Sequence, residues 1–188
     1  MKIKQQLTKK YYKYITVESS WTQPVLSSNG TIGVDNFAVS ASVHVDRAFH
    51  AFDKTAWRAN NNTYLLIYSK NALCIKRLGF AGNSSYYVYN FTLYGSNDGT
   101  NWTSIQNYSA DVKNYTTFEV NNNNFYNYYK FQVNNCISNN GYVGSMQLTA
   151  TQQTVSVVES TKDDYDFYKD VIVLSAFIVN NVYKAKKF

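Results

Sequence analysis

The sequence has one proline and eight glycines in 188 residues, so it is neither collagen-like nor a low-complexity linker. Charged residues are also scarce, at 16%, and water must be met by other groups: 23 asparagines, with abundant serine, threonine and tyrosine. Long apolar runs are missing. The longest, Val171–Val179, is interrupted by Ser175 and is far short of the ~20 residues a membrane-spanning helix needs. The lysines near the N-terminus run directly into Tyr11-Tyr12-Lys13-Tyr14 with no apolar stretch behind them, so no secretory signal is expected. Two histidines, His44 and His50, and two cysteines, Cys74 and Cys136, cannot make a zinc motif at these spacings. Nor do two cysteines make a disulfide framework. Both lie in apolar surroundings that suit buried free thiols, with a single bridge between neighbouring strands as the alternative.

What is present is a large apolar and aromatic content: 45% hydrophobic residues, with 18 tyrosines, 11 phenylalanines and 3 tryptophans. A packed core is therefore affordable, and residues that favour strands outnumber the long charged residues that solvate helices. The net charge of +6 is carried by the ends. Lys2, Lys4, Lys9, Lys10 and Lys13 stand in the first stretch and Lys184, Lys186 and Lys187 in the last, while Glu159–Asp170 is acidic. The body is nearly neutral and shows no basic stripe, which disfavours nucleic-acid binding.

Period-two alternation marks short strands broken by turn residues: Phe37–Val45, Tyr64–Tyr68, Leu73–Phe80, Tyr86–Tyr94, Thr116–Val120, Tyr128–Val133 and Val143–Thr151. Tyr129, Phe131 and Val133 should face inward and Lys130 and Gln132 outward. Tyr87, Tyr89, Phe91 and Leu93 should share one face, although the opposite face is also aromatic in part. Arg47–Phe52 is the best helical candidate, one or two turns. Before this body lies a basic arm, residues 1–20, with a short strand at its end. After it, residues 153–188 contain a strand at Val155–Val158, an acidic loop and an apolar run. They read either as strands completing the same core or as a docking extension.

The most informative tract is Leu93-Tyr94-Gly95-Ser96-Asn97-Asp98-Gly99-Thr100-Asn101-Trp102. A strand ends at Ser96, Asn97-Asp98-Gly99 supplies the turn, and Trp102 is expected to return to the core. This tract resembles the G-S-x-D-G-x-x-W signature of the discoidin domain, the factor V/VIII type C family close to certain carbohydrate-binding modules. Ala41-Ser42, then Arg47-Ala48-Phe49-His50-Ala51-Phe52-Asp53-Lys54-Thr55-Ala56-Trp57, resemble its A-S-S … A-F-D-G … W segment. Tyr128–Val133 resembles Y-Y-R-F-x-V, and Ser145-Met146-Gln147-Leu148 lies where a closing E-I-Q-L is expected. The likeness spans residues 21–152. It implies an all-β, discoidin-like jelly-roll β-sandwich of the galactose-binding type, with ligands held by loops at one end. The opening Trp21–Gly33 also resembles the leader of such domains in bacteriophage tail-fibre and other virion proteins.

In that family the Asp of F-D-G often helps to hold a structural calcium with a late Glu. Here Asp53 is kept, but Lys54 replaces the glycine and Ser145 or Met146 stands where the Glu would be, so no calcium is expected. Sugar binding needs a flat ring and donors that read hydroxyls. The loops carry both types in Arg58, Asn60, Asn61 and Asn62; in Tyr86; and in Asn139, Asn140 and Tyr142. Trp57 is expected in the core, and His44 and His50 flank the first loop. A glycosidase would need two carboxylates across one cleft, and no nucleophile elbow or phosphate loop is visible, so no enzyme is expected.

The sequence therefore leads to a non-catalytic virion component with no membrane segment, free to oligomerise. It binds host-surface polysaccharide, joins other virion structural proteins, or does both. The alternative is a bacterial carbohydrate-binding or cell-surface adhesion module.

Overall fold

Successive side chains of a strand point to opposite faces, so an aromatic-rich alternating sequence can close two sheets over one core. A computed structural model describes residues 11–24, 26, 33–34, 37–41, 48–49 and 56–160. Among these residues ten strands follow in order: β1 Tyr11–Trp21, β2 Gly33–Val34, β3 Phe37–Ser40, β4 Trp57–Ala59, β5 Thr63–Ala81, β6 Val88–Ser96, β7 Thr103–Ser109, β8 Thr116–Glu119, β9 Tyr126–Cys136 and β10 Gly141–Ser160. Helical structure among the described residues is confined to 3-10 turns at Ala48–Phe49 and Ile137–Asn139. The chain divides into two compact units, Glu18–Thr154 and the joined ends Met1–Val17 with Val155–Phe188. In the unit of joined ends the described residues are strand, and Tyr12, Tyr14, Val155 and Val157 are exposed.

In the Glu18–Thr154 unit the organising element is β5. Its first half lies between β3 and β9, with Val39 opposite Ile67 and Ile67 opposite Tyr129. Its second half lies between β10 and β8, with Leu148 and Phe118 both opposite Leu78. A register shift between Tyr68 and Leu73 separates the halves. There the Asn127 side-chain amide donates to the carbonyls of Ser69 (3.0 Å) and Lys70 (2.9 Å). One layer is thus β2-β3-β5-β9-β6-β7, and the other is β8-β5-β10, with β4 and β1 also alongside β10. All registers described are antiparallel.

The layers meet through rings. Phe80, from the second half of β5, lies 5.3 Å from both Phe91 and Phe131 across the core. Phe118 of β8 approaches Phe91 at 5.1 Å, and Phe91 stacks on Tyr108 at 4.7 Å. The fold is the all-β sandwich expected. Tyr129, Phe131 and Val133 are buried as the alternation requires, with Lys130 and Gln132 on the outer side. Trp57 is fully buried, and Cys74 and Cys136 are buried and free.

Several expectations are corrected. The runs Tyr64–Tyr68 and Leu73–Phe80 are one bent strand. Of Phe37–Val45, the described residues form a strand over Phe37–Ser40 that ends before Ala41, and residues 42–47 lie outside the described set, as do most of Arg47–Phe52. Tyr89 does not share the inward face of Phe91 and Leu93. Bulges between Val88 and Phe91 shift the alternation, so Val88 is buried and Tyr89 stays 37% exposed. β7 has no apolar alternation to mark it in the sequence. The strand at Val155–Val158 is a continuation of β10.

The turn after β6 forms as its residues dictate. Gly99 has φ +73°, and Asp98 accepts from the backbone N–H groups of Thr100 (2.8 Å) and Asn101 (2.7 Å). The Asn101 amide and the Ser96 hydroxyl also donate to the Asp98 carboxylate. These donors, Asn101 foremost, hold the Asp98 carboxyl well below the usual range. Trp102, however, does not return to the core. It lies half-buried outside the core cluster, with the Lys130 ammonium 4.8 Å from its ring.

Candidate functional site

Three connections converge at one end of the sandwich: 60–62 between β4 and β5, 82–87 between β5 and β6, and 137–140 between β9 and β10. Pairing of β4 with β10 sets Tyr142 opposite Arg58, and a bridge between Tyr87 and Tyr142 brings in the second connection. Because β4 alternates, Trp57 and Ala59 point inward and Arg58 points to solvent.

The Arg58 guanidinium lies over two tyrosine rings. Its carbon is 5.3 Å from the Tyr86 centroid and 5.2 Å from that of Tyr142. Each such contact is worth ~0.5–1 kcal/mol at an exposed site, which offsets part of the rotamer entropy of ordering arginine. Among the described residues no carboxylate pairs with Arg58 and no hydrogen bond occupies its donors. Tyr86 is 40% exposed. The result is a pre-oriented cation with free N–H groups beside an accessible ring.

The asparagines divide. Asn61 Oδ1 accepts from the Cys136 backbone N–H (2.8 Å) and thiol (3.2 Å), and its own N–H donates to Asn139 Oδ1 (2.7 Å). Asn61 and Asn139 therefore stitch two connections together. Asn60 fixes its turn through backbone bonds with Thr63, and Asn62 takes φ +60°. The Asn140 backbone N–H donates to Ile137. Among the described residues the side chains of Asn60, Asn62 and Asn140 make no hydrogen bond, and Asn60 and Asn62 are exposed. Burial pushes the Cys136 thiol up, which keeps it protonated beneath the loops.

Asp53, His44 and His50 lie outside the described residues. Among the described residues there is no group of three or more potential metal ligands. A depression of about 320 Å³ among the described residues is lined by Trp21, Pro24, Phe37 and Asn71 rather than by the loop residues.

Sequence reasoning did not single out a second cluster on the outer face of the first layer. The Lys130 ammonium lies 4.6 Å from the Tyr94 ring, 4.8 Å from Trp102 and 5.8 Å from Tyr64. The signal was available, since Tyr64 and Tyr68 alternate outward from Leu65 and Ile67 along β5.

No protein-family model matches the chain, and no curated protein matches it. The chain is similar to several solved structures. One is the family 32 carbohydrate-binding module of Clostridium perfringens NanJ in complex with galactose, at 11% identity and TM-score 0.49, covering 72% of this chain and 99% of that one. Another is a Clostridium perfringens module in complex with GalNAc-β-1,3-galactose, at 13% identity and TM-score 0.47, covering 73% and 94%. A third is chitosan-binding module 1 of a Paenibacillus chitosanase/glucanase, at 19% identity and TM-score 0.44, covering 63% and 92%.

Proposed function

We propose that the Glu18–Thr154 unit is a non-catalytic carbohydrate-binding module that holds a saccharide at the loop end. The observation that supports this is the Arg58 side chain, held over the rings of Tyr86 and Tyr142 with its donors unpaired among the described residues. A guanidinium offers a rigid fork of N–H groups to neighbouring hydroxyls, and the exposed face of Tyr86 takes the apolar side of a sugar ring. Asn60, Asn62 and Asn140 extend the donor and acceptor set, while Asn61 and Asn139 hold the loops in register.

Among the described residues, the placement of acids favours a binding role over hydrolysis. Asp98 is bound into the turn after β6, Glu119 pairs with Arg77 at 2.7 Å, and Asp111, on the segment joined to Val88, pairs with Lys113 at 3.4 Å. Glycoside hydrolysis needs two carboxylates across the scissile bond. Such a site serves either setting expected from the sequence, adsorption of a phage particle to host polysaccharide or adhesion by a bacterial surface protein. The reading as a joint to other virion proteins rests on the arm, residues 1–20, and the tail, residues 153–188, of which 1–10 and 161–188 lie outside the described set.

The test is calorimetric titration with a panel of neutral and acidic oligosaccharides. At least one should bind, and Arg58→Ala should weaken it by roughly 10- to 100-fold, the loss of ~1.5–3 kcal/mol from hydrogen bonds to a charged donor. Its melting temperature should match that of the parent. A panel with no heat signal, or an Arg58→Ala protein that binds equally well, refutes the proposal.

A further inference from the structure

The outer face of the first layer carries an aromatic surface on which the loop-end site does not draw. Tyr64 and Tyr68 come from β5, Tyr128 and Lys130 from β9 and Tyr94 from β6, with Trp102 at the end of the β6–β7 turn. Register places Leu66 and Tyr94 on either side of Lys130, and Tyr68 beside Tyr128, whose rings lie 5.0 Å apart. Tyr64 is 48% exposed and Tyr68 36%. Solvent-facing strand positions are ordinarily polar, and contiguous exposed apolar patches on soluble domains mark interaction sites.

The charge pattern is specific. Among the described residues no carboxylate pairs with Lys130 and no hydrogen bond occupies its ammonium. The outward residues of β6, β9 and the first half of β5 include no acid. Asp98, in the adjoining turn, is committed to Asn101, Thr100 and Ser96. The neighbouring amides are already engaged: Gln132 donates to the Thr63 carbonyl at 3.1 Å, and Asn134 donates to Asn90 Oδ1 at 2.6 Å and Thr92 Oγ1 at 2.9 Å. Among these side chains the ammonium is left as the one cationic donor of a ring-lined surface, half out of water, where its attraction for an anion is stronger than in bulk solvent.

We propose that this face is a second saccharide site, selective for acidic sugars. A uronate carboxylate pairs with Lys130 while the apolar side of its ring lies on Trp102 or Tyr94. The site is separate from the loop end, since Lys130 stands six residues from Cys136 along β9, about 20 Å of extended strand. A single cation fits one carboxylate. Single-stranded nucleic acid also stacks on aromatic sheets, but it needs a basic groove that tracks several phosphates.

The experiment uses the full chain carrying Arg58→Ala, so that the loop-end site is disabled and the two readings fail separately. Oligogalacturonate and its methyl ester are titrated by calorimetry and by the fluorescence change lost in Trp102→Phe. The free acid should bind at least tenfold more tightly than the ester. Lys130→Met, which keeps the apolar stem, should abolish that preference without changing the melting temperature. Equal binding of acid and ester, no binding, or an unchanged preference in Lys130→Met overturns the proposal. So does tighter binding of an oligothymidylate with a salt slope of several counterions, which would make the face a nucleic-acid platform.

Discussion

Removing one oxygen, by Tyr129→Phe, should expose how the bend of β5 is held. The Tyr129 side chain is 1% exposed, and its hydroxyl donates to the Leu73 carbonyl at 2.6 Å. It accepts from the Ile75 N–H at 3.3 Å and the Asn122 amide at 3.4 Å. The latter two are long and weak, and Asn122 keeps its bond to the Asn124 carbonyl at 2.8 Å. The short bond to Leu73 dominates, and its loss leaves a buried carbonyl short of a donor where the strand passes from one layer to the other. A buried group so stranded costs ~1–3 kcal/mol, and the two weaker bonds place the expected loss near 2 kcal/mol. For a unit of this size that lowers the melting temperature by about 6–8 °C. Urea unfolding should show a lower midpoint with unchanged slope. Tyr126→Phe is the control: its ring lies 5.7 Å from Tyr129, and its hydroxyl has no hydrogen bond among the described residues. It should change stability by less than ~0.5 kcal/mol. The substitution carries a pH signature too. Burial, the largest cause, raises the Tyr129 hydroxyl above its usual value, so the folded state resists ionisation. Its stabilising contribution is complete below about pH 10 and falls as pH rises beyond that. Tyr129→Phe should flatten this alkaline decline. A loss under ~0.5 kcal/mol, or an equal loss in Tyr126→Phe, refutes the reasoning.

Other outcomes follow from single contacts. Asp98, held below the usual carboxylate range by Asn101 and Thr100, contributes stability above about pH 4 that is lost as pH falls toward its folded value. Asp98→Ala should therefore lower the melting temperature at pH 7 yet decline less between pH 4 and pH 2. Tyr108, pushed up to about 12 by burial and then by Glu119, should make Tyr108→Phe less alkali-sensitive than the parent in melts above pH 10. Trp57 is fully buried with its indole N–H unpaired among the described residues. Trp57→Phe loses no hydrogen bond there and should cost far less than the ~3–5 kcal/mol expected of Trp57→Ala, as urea midpoints would show. A Cβ on Gly82 would fall 1.5 Å from the Val112 carbonyl oxygen, on a segment fixed by the Val112 N–H bond to Val88. Gly82→Ala should cost ~3 kcal/mol or more and weaken saccharide binding by displacing Tyr86, read by melting and titration together.

The sequence made some of this legible because local chemistry decided it. Asn97-Asp98-Gly99 is a turn whatever surrounds it, and the alternation of β9 survives because that strand is central, with partners on both sides. The loop-end cluster could be read from residue type, as Arg58, Tyr86 and Tyr142 are poorly explained by a core. Its internal division could not: Asn61 and Asn139 differ from Asn60 and Asn62 only in tertiary partners. Trp102 shows the limit most clearly. An aromatic residue just past a turn can enter the core or lie on the sheet, and the choice depends on Lys130, 28 residues away in the chain. Tyr89 is turned outward by bulges that alternation cannot reveal. β5 reads as two strands in the sequence because the residues at its bend, Ser69-Lys70-Asn71, break the apolar pattern while Asn127 keeps the backbone continuous.

That continuity bears on how the molecule could be divided. Cutting between Ser69 and Asn71 would separate the first half of β5 from the second, and each fragment would then own strands of both layers but complete neither. Neither piece could bury its rings alone, and reunion would restore both layers at once. The bend is thus a natural seam for a split reporter, whose reassembly would be all-or-none because a single backbone serves as the spine of two sheets.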